Sequence, residues 1–587
     1  MPTNPDPLQY TLRFPAPHTH YVEVTLSIPA RGRGAFELRM AVWTPGSYLV
    51  REYARHVESL QAHTDGEAPL SVWKVSKNRW RVAAEEAGPV LVRYRVYCRE
   101  MSVRTNWVDA DFALLNGAPT FLTLVEDIAR PHDVDVVLPP NWGTVMTGLL
   151  HRPEAGRYSY RAADFDTLVD TPILAGNPTV HAFEIGGKPH YLVNEAEAGV
   201  WDGPRSAADT QKLVHAHWRM WGGGLPYDQY LFINMLTQAG GGLEHRNSTV
   251  LMANRWNTRS RKSYLDWLRL VSHEYFHVWN VKRLRPVELG PFDYEREVYT
   301  KNLWVAEGVT AYYTELGVRR AGLCSDSEFF EALSALIRRL QTTPGRLVHP
   351  LETASYDAWI KLYRSDENTP NTSISYYVKG AVIAFLLDAR IRRATDDAKS
   401  LDDMLRLAYV RHSGATGFTR EEFRSLAEEV SGMPLGPWFV AALETTEELD
   451  YTEALDWLGM RFAPANAPAE SGWIGVETHT AGGRLLISQI RRDTPGWHGG
   501  LNVDDEILAV NDERVLPVQW KARIQQFHAG DRISILVSRR ERLRRIDVTL
   551  DAEPPDAWKL EPHPDAGEAQ QARRTAWLKG TATSLPD

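Results

Sequence analysis

The spacing of hydrophobic residues changes twice along this chain, and those changes limit the folds open to it. From residue 8 to about 193 hydrophobic residues alternate with polar ones, as in Val90, Val92, Tyr94 and Val96. Such alternation is typical of strands with one buried face. From about residue 205 the spacing becomes helical, and beyond 470 the alternation returns. Because 587 residues are too many for a single core, we predict a multidomain α+β protein.

The periodicity divides the chain into four parts. We predict an N-terminal β-sandwich domain, a mainly helical domain, a third β-containing domain and a C-terminal tail, at 1–195, 196–463, 464–553 and 554–587. The Pro- and Ala-rich stretch 464–470 has the composition of a linker. The tail has no hydrophobic period, and Trp558 and Trp577 are the residues that would order part of it.

Helical spacing in the second part predicts individual helices. Their ranges are 264–281, 299–320, 326–341, 375–393, 399–412 and 420–431. Thr419 with Glu422, and Ser263 with Asp266, have the spacing of a capping box and mark two helix starts.

Composition and charge exclude several classes of function. The net charge is −9 and no basic tract is present, so we expect neither nucleic acid nor an anionic membrane surface as a partner. The two cysteines, Cys98 and Cys324, cannot form a disulfide framework or a cysteine-rich metal site. The N-terminus lacks a basic segment followed by a hydrophobic one, and no hydrophobic run reaches the length of a membrane span. We therefore expect a soluble cytoplasmic enzyme, unless a leader has been removed.

A metal-binding motif lies within the predicted helix 264–281. Its sequence is His273-Glu274-Tyr275-Phe276-His277. Histidines four residues apart project from the same face of a helix, so both imidazoles can bind one Zn²⁺. The carboxylate of Glu274 beside them can accept the proton of a water that the metal activates. The motif predicts a metallopeptidase with His273 and His277 as zinc ligands and Glu274 as the general base.

A third ligand must come from further along the chain, because a catalytic zinc has three protein ligands and one open position. We choose Glu307, since the hydrophobic residues before it, Leu303-Trp304-Val305, would anchor its helix in the core. Glu295 and Glu297 are the alternatives. They lie in a polar stretch typical of a loop, which is a less rigid source of a ligand.

These segments resemble the PDZ-containing glycyl aminopeptidase family of gluzincin zinc metallopeptidases. The resemblance is carried by the segments His273 to Pro286, Leu289 to Tyr294, Trp304 to Tyr313 and, near the N-terminus, Trp43 to Tyr53. It implies a thermolysin-like catalytic domain with one zinc ion per chain. It also implies peptide substrates with a free N-terminus and a preference for small N-terminal residues such as Gly and Ala.

The resemblance also implies an oxyanion-stabilising tyrosine. The element Tyr377-Val378-Lys379-Gly380 is similar to the Tyr-x-Lys-Gly element of related gluzincin aminopeptidases, in which the tyrosine donates to the oxyanion. This match selects Tyr377. Tyr376 and Tyr313 are the alternatives.

A glycine cluster supplies the substrate-binding residues that the resemblance implies. The segment is Gly240-Gly241-Gly242-Leu243-Glu244-His245, similar to the Gly-x-Met-Glu-Asn element of the same enzymes. There the glycines let the substrate backbone approach an edge strand, and the glutamate pairs with the substrate α-ammonium group. Gly241, Gly242, Glu244 and His245 are thereby implied to bind substrate. The chain differs from the element by Leu243 for Met and His245 for Asn.

The third domain resembles a PDZ domain. Its segments Trp473 to Val476, Leu485 to Ser488, Thr494 to Leu501 and Asp504 to Asn511 carry this resemblance. The backbone of Ile474, Gly475 and Val476 is then the candidate loop for the carboxylate of a C-terminal peptide. The alternative is a structural module that shields the cleft. Similarly, the aromatic and charged segment 43–53 either reaches the cleft or forms a domain interface.

Three functions compete at this level. We predict a zinc aminopeptidase that removes N-terminal residues by metal-activated water. A zinc endopeptidase that captures protein C-termini with its PDZ-like domain is the first alternative. A PDZ adaptor on an inactive peptidase scaffold is the second, and the intact motif with Glu307 argues against it.

Overall fold

The computed structural model describes residues 6–31, 34–84, 88–465 and 469–580. The predicted linker 464–470 and the predicted tail 554–587 therefore lie partly outside the described residues. Among the described residues, no helix combines the length and the hydrophobicity needed to cross a bilayer. Cys98 and Cys324 are both buried and unpaired.

An N-terminal β-rich domain is built from three sheets around one core. Its strands are β1 (Leu8–Arg13), β2 (Tyr21–Arg31), β3 (Gly34–Arg39), β4 (Val57–Thr64), β5 (Pro69–Leu70), β6 (Val72–Ser76), β7 (Arg79–Ala84), β8 (Gly88–Tyr97), β9 (Trp107–Val108), β10 (Ala113–Leu115), β11 (Thr123–Leu124), β12 (His132–Val137), β13 (Thr144–Thr147), β14 (Leu150–His151), β15 (Ser159–Ala162) and β16 (Ile173–Gly176). Two short helices, α1 (Gly117–Thr120) and α2 (Phe165–Val169), lie between strands. The sheets have the strand orders β14-β15-β12-β1-β2-β8-β4-β5, β13-β16-β10-β9 and β11-β3-β7-β6. Alternating burial along β8 matches the predicted alternation of this region.

A five-stranded sheet connects this domain to the helical region. Its strands are β17 (Thr179–Ile185), β18 (Lys188–Glu195), β19 (Tyr230–Leu236), β20 (Gly241–Glu244) and β21 (Ser248–Ala253), in the order β17-β18-β19-β21-β20. β20 lies at one edge and pairs antiparallel with β21. The sheet extends across the predicted domain boundary at 195, because β18 pairs parallel with β19. Hydrophobic and polar residues alternate in the same way in strands of different sheets, so the sequence pattern could not show where one sheet ends and the next begins.

Helices make up most of the middle region. They are α3 (Gly203–Met220), α4 (Arg261–Phe276), α5 (Thr310–Arg320), α6 (Asp326–Gln341), α7 (Leu351–Tyr356), α8 (Thr369–Thr372), α9 (Tyr376–Ala394), α10 (Leu401–His412), α11 (Arg420–Ser431), α12 (Gly436–Phe439) and α13 (Thr452–Leu458). A π-helical segment, Trp304–Val309, leads directly into α5. This region shares one large hydrophobic core.

The observed starts of α4 and α11 can be compared with the two predicted capping boxes. Thr419 caps α11 with Glu422 as its reciprocal partner, so this prediction is confirmed. The predicted start at Ser263 with Asp266 is wrong. α4 begins three residues earlier, where the side chain of Ser260 accepts a hydrogen bond from the backbone N–H of Ser263 at 3.4 Å. Asn257, Thr258, Ser260 and Ser263 lie within a few residues of each other here, and spacing alone does not decide which of them caps the helix.

The C-terminal β region has a core of its own between Ile474 and Leu550. Its elements are β22 (Met460–Phe462), β23 (Ala469–Trp473), β24 (Val476–Ala481), β25 (Arg484–Ile490), α14 (Pro495–Gly499), β26 (Glu506–Val510), β27 (Glu513–Arg514), α15 (Trp520–Ile524), β28 (Arg532–Arg539), β29 (Arg542–Thr549), β30 (Asp551–Glu553), β31 (Leu560–Pro562) and α16 (Glu568–Lys579). The main sheet has the order β24-β25-β26-β28-β29. Asn371 of α8 attaches it to the middle region, with its amide bonded to Ile490 O and Arg492 N, both at 2.8 Å. The PDZ-like character of this region stays a prediction.

The described part of the tail returns to the middle region. β31 pairs with β22, and α16 places Trp577 in the large core. The indole N–H of Trp577 donates to the hydroxyl of Tyr312 at 2.7 Å. Trp577 therefore orders the described tail, as its sequence suggested.

Candidate metal centre and cleft

The three predicted metal ligands converge on one point. His273 lies in the last turn of α4 and His277 directly follows that helix, while Glu307 comes from the π-helical segment before α5. Glu307 Oε2 lies 3.3 Å from His273 Nε2 and 3.3 Å from His277 Nε2. The three ligand atoms are therefore close enough to share one ion.

Hydrogen bonds to the second nitrogen of each ring set the histidine orientation. His273 Nδ1 lies 3.0 Å from Thr314 Oγ1, and the Thr314 hydroxyl itself donates to Thr310 O at 2.8 Å. Thr314 Oγ1 must then accept from His273, so the proton sits on Nδ1. His277 Nδ1 lies 3.0 Å from the carbonyl of Asn280 and carries its proton for the same reason. Both Nε2 lone pairs are thus free to face the ion, as metal-binding histidines require.

The position of Glu307 depends on an irregular helix that neighbouring residues support. The side-chain amide of Asn280 donates to the carbonyls of Val305 and Ala306 at 2.8 and 3.2 Å. These bonds satisfy carbonyls in the π-helical segment. Behind the ligand, a Cβ on Gly308 would lie 2.5 Å from Gly380 Cα. Because glycine has no Cβ, the π-helical segment can approach α9 this closely. Glu307, one residue before Gly308, is positioned by this packing.

The charges around these ligands favour a bound cation. Burial alone would raise the pKa of Glu307, but His277 and His273 outweigh it and hold the pKa at about 2. Burial alone would lower the pKa of His277, but Glu307, Glu244 and Glu274 raise it to about 9. Glu307 Oε2 is buried between the two Nε2 atoms, at 3.3 Å from each, and no other side chain of the described residues bonds to it. The two imidazole nitrogens and the carboxylate oxygen form a donor set that fits Zn²⁺.

Glu274 lies beside the ligands and against the glycine strand. Its side chain is 5% exposed, and a Cβ on Gly242 would fall 2.1 Å from its Oε1. Burial raises the pKa of Glu274 to about 8, opposed by His277 and Arg104 and assisted by Glu244 and Glu307. A buried carboxylate in this position, beside the ligand atoms, can accept and return a proton.

The glycine strand carries Glu244 into the same cleft. Glu244 ends the edge strand β20 and is buried, and its carboxylate could also join Glu274 and His277 around an ion. A Cβ on Gly46 of the N-terminal domain would lie 2.5 Å from Glu244 Oε1. The segment 43–53 therefore reaches the cleft as well as forming a domain interface, the two roles that the sequence left open.

His245 faces away from this group of carboxylates. Its Nδ1 lies 3.2 Å from Asp170 of the N-terminal domain, which also pairs with Lys282 at 2.8 Å. The side chain is 2% exposed, and its Nε2 has no hydrogen-bond partner among the described residues. This buried contact joins the two domains behind β20, and a role of His245 in substrate binding stays a prediction.

Tyr377, the predicted oxyanion donor, lies beside a metal ligand, and its role stays a prediction. It lies in the first turn of α9, and its ring stacks on that of His273 at a centroid distance of 6.1 Å. Tyr376 stacks on Tyr377 at 4.9 Å. Tyr313, in contrast, donates its hydroxyl to Asp402 at 2.6 Å. That bond leaves Tyr313 without a free proton for the cleft.

The alternative ligands lie elsewhere. Glu295 pairs with Arg79 and with Arg39, the latter at 3.3 Å. Glu297 is exposed. The loop that contains them was recognised from its polar composition, and here it binds the N-terminal domain.

Three residues of the cleft were not predicted from the sequence. Tyr48 lies close enough to Glu307 and Glu244 that their charges, added to burial, raise the pKa of its phenol. Tyr363 donates to the carbonyl of Gly46 at 3.4 Å. Burial raises the pKa of both Tyr363 and Glu274, and the positive charge of Arg104 opposes that rise. The aromatic content of 43–53 was a signal for Tyr48. No local pattern marks Tyr363 or Arg104.

The predicted carboxylate loop begins the edge strand β24. The carbonyl of Ile474 accepts from Gly496 N at 2.8 Å, and that of Gly475 accepts from Arg491 N at 3.1 Å. Gly475 has a φ of +74°, which favours glycine. β24 has one neighbour in its sheet, β25, so its other side remains an edge.

Comparisons with known proteins cover both the N-terminal domain and the metal ligands. The Peptidase M61 N-terminal domain matches residues 9–177, ending just before β17, and the M61 glycyl aminopeptidase matches residues 266–383. A solved aminopeptidase N family protein from Idiomarina loihiensis has 27% identity and a TM-score of 0.90, with 97% of this chain and 100% of that chain covered. An M1 zinc metallopeptidase from Deinococcus radiodurans has 14% identity and a TM-score of 0.45, with 76% of this chain and 95% of that chain covered. No curated protein sequence matches the chain.

Proposed function

The chain belongs to the M61 glycyl aminopeptidase family of metallopeptidases, and we propose that it is a zinc aminopeptidase that removes N-terminal residues from peptides, small ones such as Gly and Ala being preferred. The observation that carries the proposal is the convergence of His273, His277 and Glu307 at 3.3 Å, with Glu274 beside them. A zinc ion held by these residues would supply Lewis-acid activation of water and of the scissile carbonyl.

Glu274 is the proton carrier of the proposed reaction. Its carboxylate accepts a proton from the attacking water and returns it to the nitrogen of the leaving peptide. Contact with Gly242 and burial hold the carboxylate in one place. The hydroxyl of Tyr377 donates to the oxyanion that develops on the scissile carbonyl.

Glu244 selects substrates with a free N-terminus. A buried carboxylate binds a substrate α-ammonium by a charge-assisted hydrogen bond, whereas an acetylated terminus offers no such partner. The unpaired side of β20, which contains Gly241 and Gly242, can accept the substrate backbone as an added strand. Gly46 lies against Glu244, and a side chain at this position would displace the carboxylate.

The test compares hydrolysis of Gly- and Ala-anilides by the wild-type enzyme and by Glu274→Gln. We expect a loss of at least about 100-fold in kcat with zinc content retained, because the proton carrier alone is removed. Glu297→Gln is the matched control, since Glu297 is exposed and outside the cleft. Full activity of Glu274→Gln would refute the proposal. Equal rates on N-acetylated and free peptides would favour the endopeptidase, and a purified protein without metal that binds C-terminal peptides would favour the adaptor.

A further inference from the structure

Asn280 contacts the segments that carry two of the three metal ligands. Its backbone carbonyl accepts the Nδ1 proton of His277 at 3.0 Å. Its side-chain amide donates to the π-helical segment, where the carbonyls of Val305 and Ala306 lie at 2.8 and 3.2 Å. The residue is fully buried. Asn280 thus joins the loop after α4 to the turn that holds Glu307.

A third bond of the same amide extends this connection to the start of α5. The amide lies 2.9 Å from Thr310 Oγ1, and the Thr310 hydroxyl donates to the carbonyl of Ala306 at 2.7 Å. The Thr314 hydroxyl donates to Thr310 O at 2.8 Å and accepts from His273 Nδ1 at 3.0 Å. The second nitrogens of both histidines are therefore bonded to one network, which also supports the helical turn of Glu307.

The π-helical segment depends on such support. A π turn departs from the regular pairing of an α-helix, and buried carbonyls that lose this pairing need other donors. Val305 and Ala306 are both buried, and the amide of Asn280 donates to both carbonyls. If this segment relaxed to a regular α-helix by one residue, the side chain of Glu307 would turn by about 100° around the helix axis. It would then leave its place beside the two histidines.

The amide oxygen shows that Asn280 is not there for stability alone. Asn280 Oδ1 is buried and has no hydrogen-bond partner among the described residues. A buried polar atom without a partner is unfavourable, and a leucine of similar size would avoid that cost. The donors of the amide therefore account for asparagine at this position.

We infer that Asn280 is a positioning residue of the metal centre, whose side-chain amide fixes Glu307 in register with the two histidines. The inference rests on the proposed zinc-dependent function and goes beyond it, because it names a residue that sets the zinc affinity without binding the ion. The backbone carbonyl orients His277 whatever the side chain is. The effect of the amide therefore passes through Glu307.

The first experiment measures the zinc affinity of the full chain by competition with a chelator of known affinity. Asn280→Leu removes the amide donors and keeps the backbone carbonyl and a side chain of similar size. We expect its zinc dissociation constant to rise by about 10- to 100-fold, the usual effect of losing a group that orients a metal ligand. Thr310→Val removes the hydroxyl between the amide and Ala306, and it should raise the constant by a smaller factor.

Asn116→Leu is the matched control. Asn116 is buried in the N-terminal domain, and its amide donates to the carbonyl of Thr105 at 2.6 Å. The same substitution is thus made at a buried amide outside the metal centre. Its zinc dissociation constant should equal that of the wild type, even where its melting temperature falls.

A double-mutant cycle shows whether the amide acts through Glu307. In a Glu307→Ala background, Asn280→Leu should change the zinc dissociation constant by less than about threefold, because the ligand that the amide positions is already absent. Thr314→Val gives the contrast. It removes the acceptor of the His273 proton, so its effect should persist in the same background.

Three results would contradict this role of Asn280. An unchanged zinc dissociation constant in Asn280→Leu, or in Thr310→Val if the leucine variant does not fold, would overturn the inference and leave the aminopeptidase function standing. An equal rise with and without Glu307 would also overturn it, because the amide would then act on the fold in general. Failure of the wild-type chain to bind zinc would refute the proposed function and this inference with it.

Discussion

Replacement of Gly242 by alanine tests how strongly catalysis depends on the position of Glu274, the proposed proton carrier. The new Cβ would lie 2.1 Å from Glu274 Oε1 and 2.4 Å from its Cδ. Ordinary contact begins near 3.4 Å, so the carboxylate must withdraw by about 1.3 Å. The backbone of Gly242 itself needs no change, because its φ lies outside the left-handed region.

The size of the effect follows from this displacement. A misplacement of about 1 Å in a catalytic group costs on the order of 100-fold in rate, or about 2.7 kcal/mol in the activation barrier. The new Cβ would also lie 2.5 Å from Glu274 Cγ, so the buried side chain must move as a whole, and this overpacking should lower the melting temperature. We therefore expect Gly242→Ala to lower kcat about 100-fold, with KM and zinc content close to wild type.

The assay measures kcat and KM on alanine anilide beside zinc analysis and thermal unfolding. Gly240→Ala is the matched control, since its Cβ would meet nothing within 4 Å and its φ also allows alanine. Gly241 is unsuitable as a control because its φ of +111° would strain any other residue. A kcat of Gly242→Ala within threefold of wild type would refute the reasoning. Loss of zinc would refute it too, since the change would then act on the metal rather than on Glu274.

Two further predictions concern the oxyanion and acid stability. Tyr377→Phe should lower kcat by about 100- to 1000-fold with KM little changed, whereas Tyr313→Phe should spare kcat, because its hydroxyl is bonded to Asp402 at 2.6 Å; the reverse order in anilide kinetics would contradict the assignment. Burial, with Arg320, lowers the pKa of His217 from 6.5 to about 3. The unfolded chain therefore binds a proton below about 6.5 that the folded chain refuses until about 3, so this stability is complete above 6.5 and is lost as the pH falls, at about 1.4 kcal/mol per pH unit. His217→Gln should show a shallower fall of melting temperature between pH 6 and pH 4, and an equal slope would exclude the role given to His217.

Predictions that depended on neighbours along the chain agree with the structure. Helix α6 and helix α11 occupy the ranges expected from their hydrophobic spacing, and the Thr419 cap is where its spacing placed it. The alternation of residues 8 to 193 corresponds to strands. Such features depend on contacts within one or two turns or between alternate residues of a strand, which a sequence displays directly.

Predictions that depended on distant contacts were harder. Strands β17 and β18 alternate like those of the N-terminal domain, yet they pair with β19 in another sheet. The C-terminal tail has no hydrophobic period, yet Trp577 inserts into a core formed mainly by residues more than a hundred positions away. In both cases the stabilising free energy comes from burying hydrophobic surface against a partner that the local sequence pattern does not identify.

The same distinction between local spacing and distant contacts applies to the candidate site. From the sequence alone, His273 and His277 are expected to share a helix face with Glu274 beside them, because a spacing of four residues closes about one helical turn. The sequence also singled out Glu307 as the ligand to be expected. Two features are visible only in the folded structure: Asn280 supports the π-helical segment that holds Glu307, and Gly46 of the N-terminal domain lies against Glu244 in the same cleft. The physical reason is that these groups meet through domain packing, where the chain brings together residues whose separation along the sequence carries no information about their distance in space.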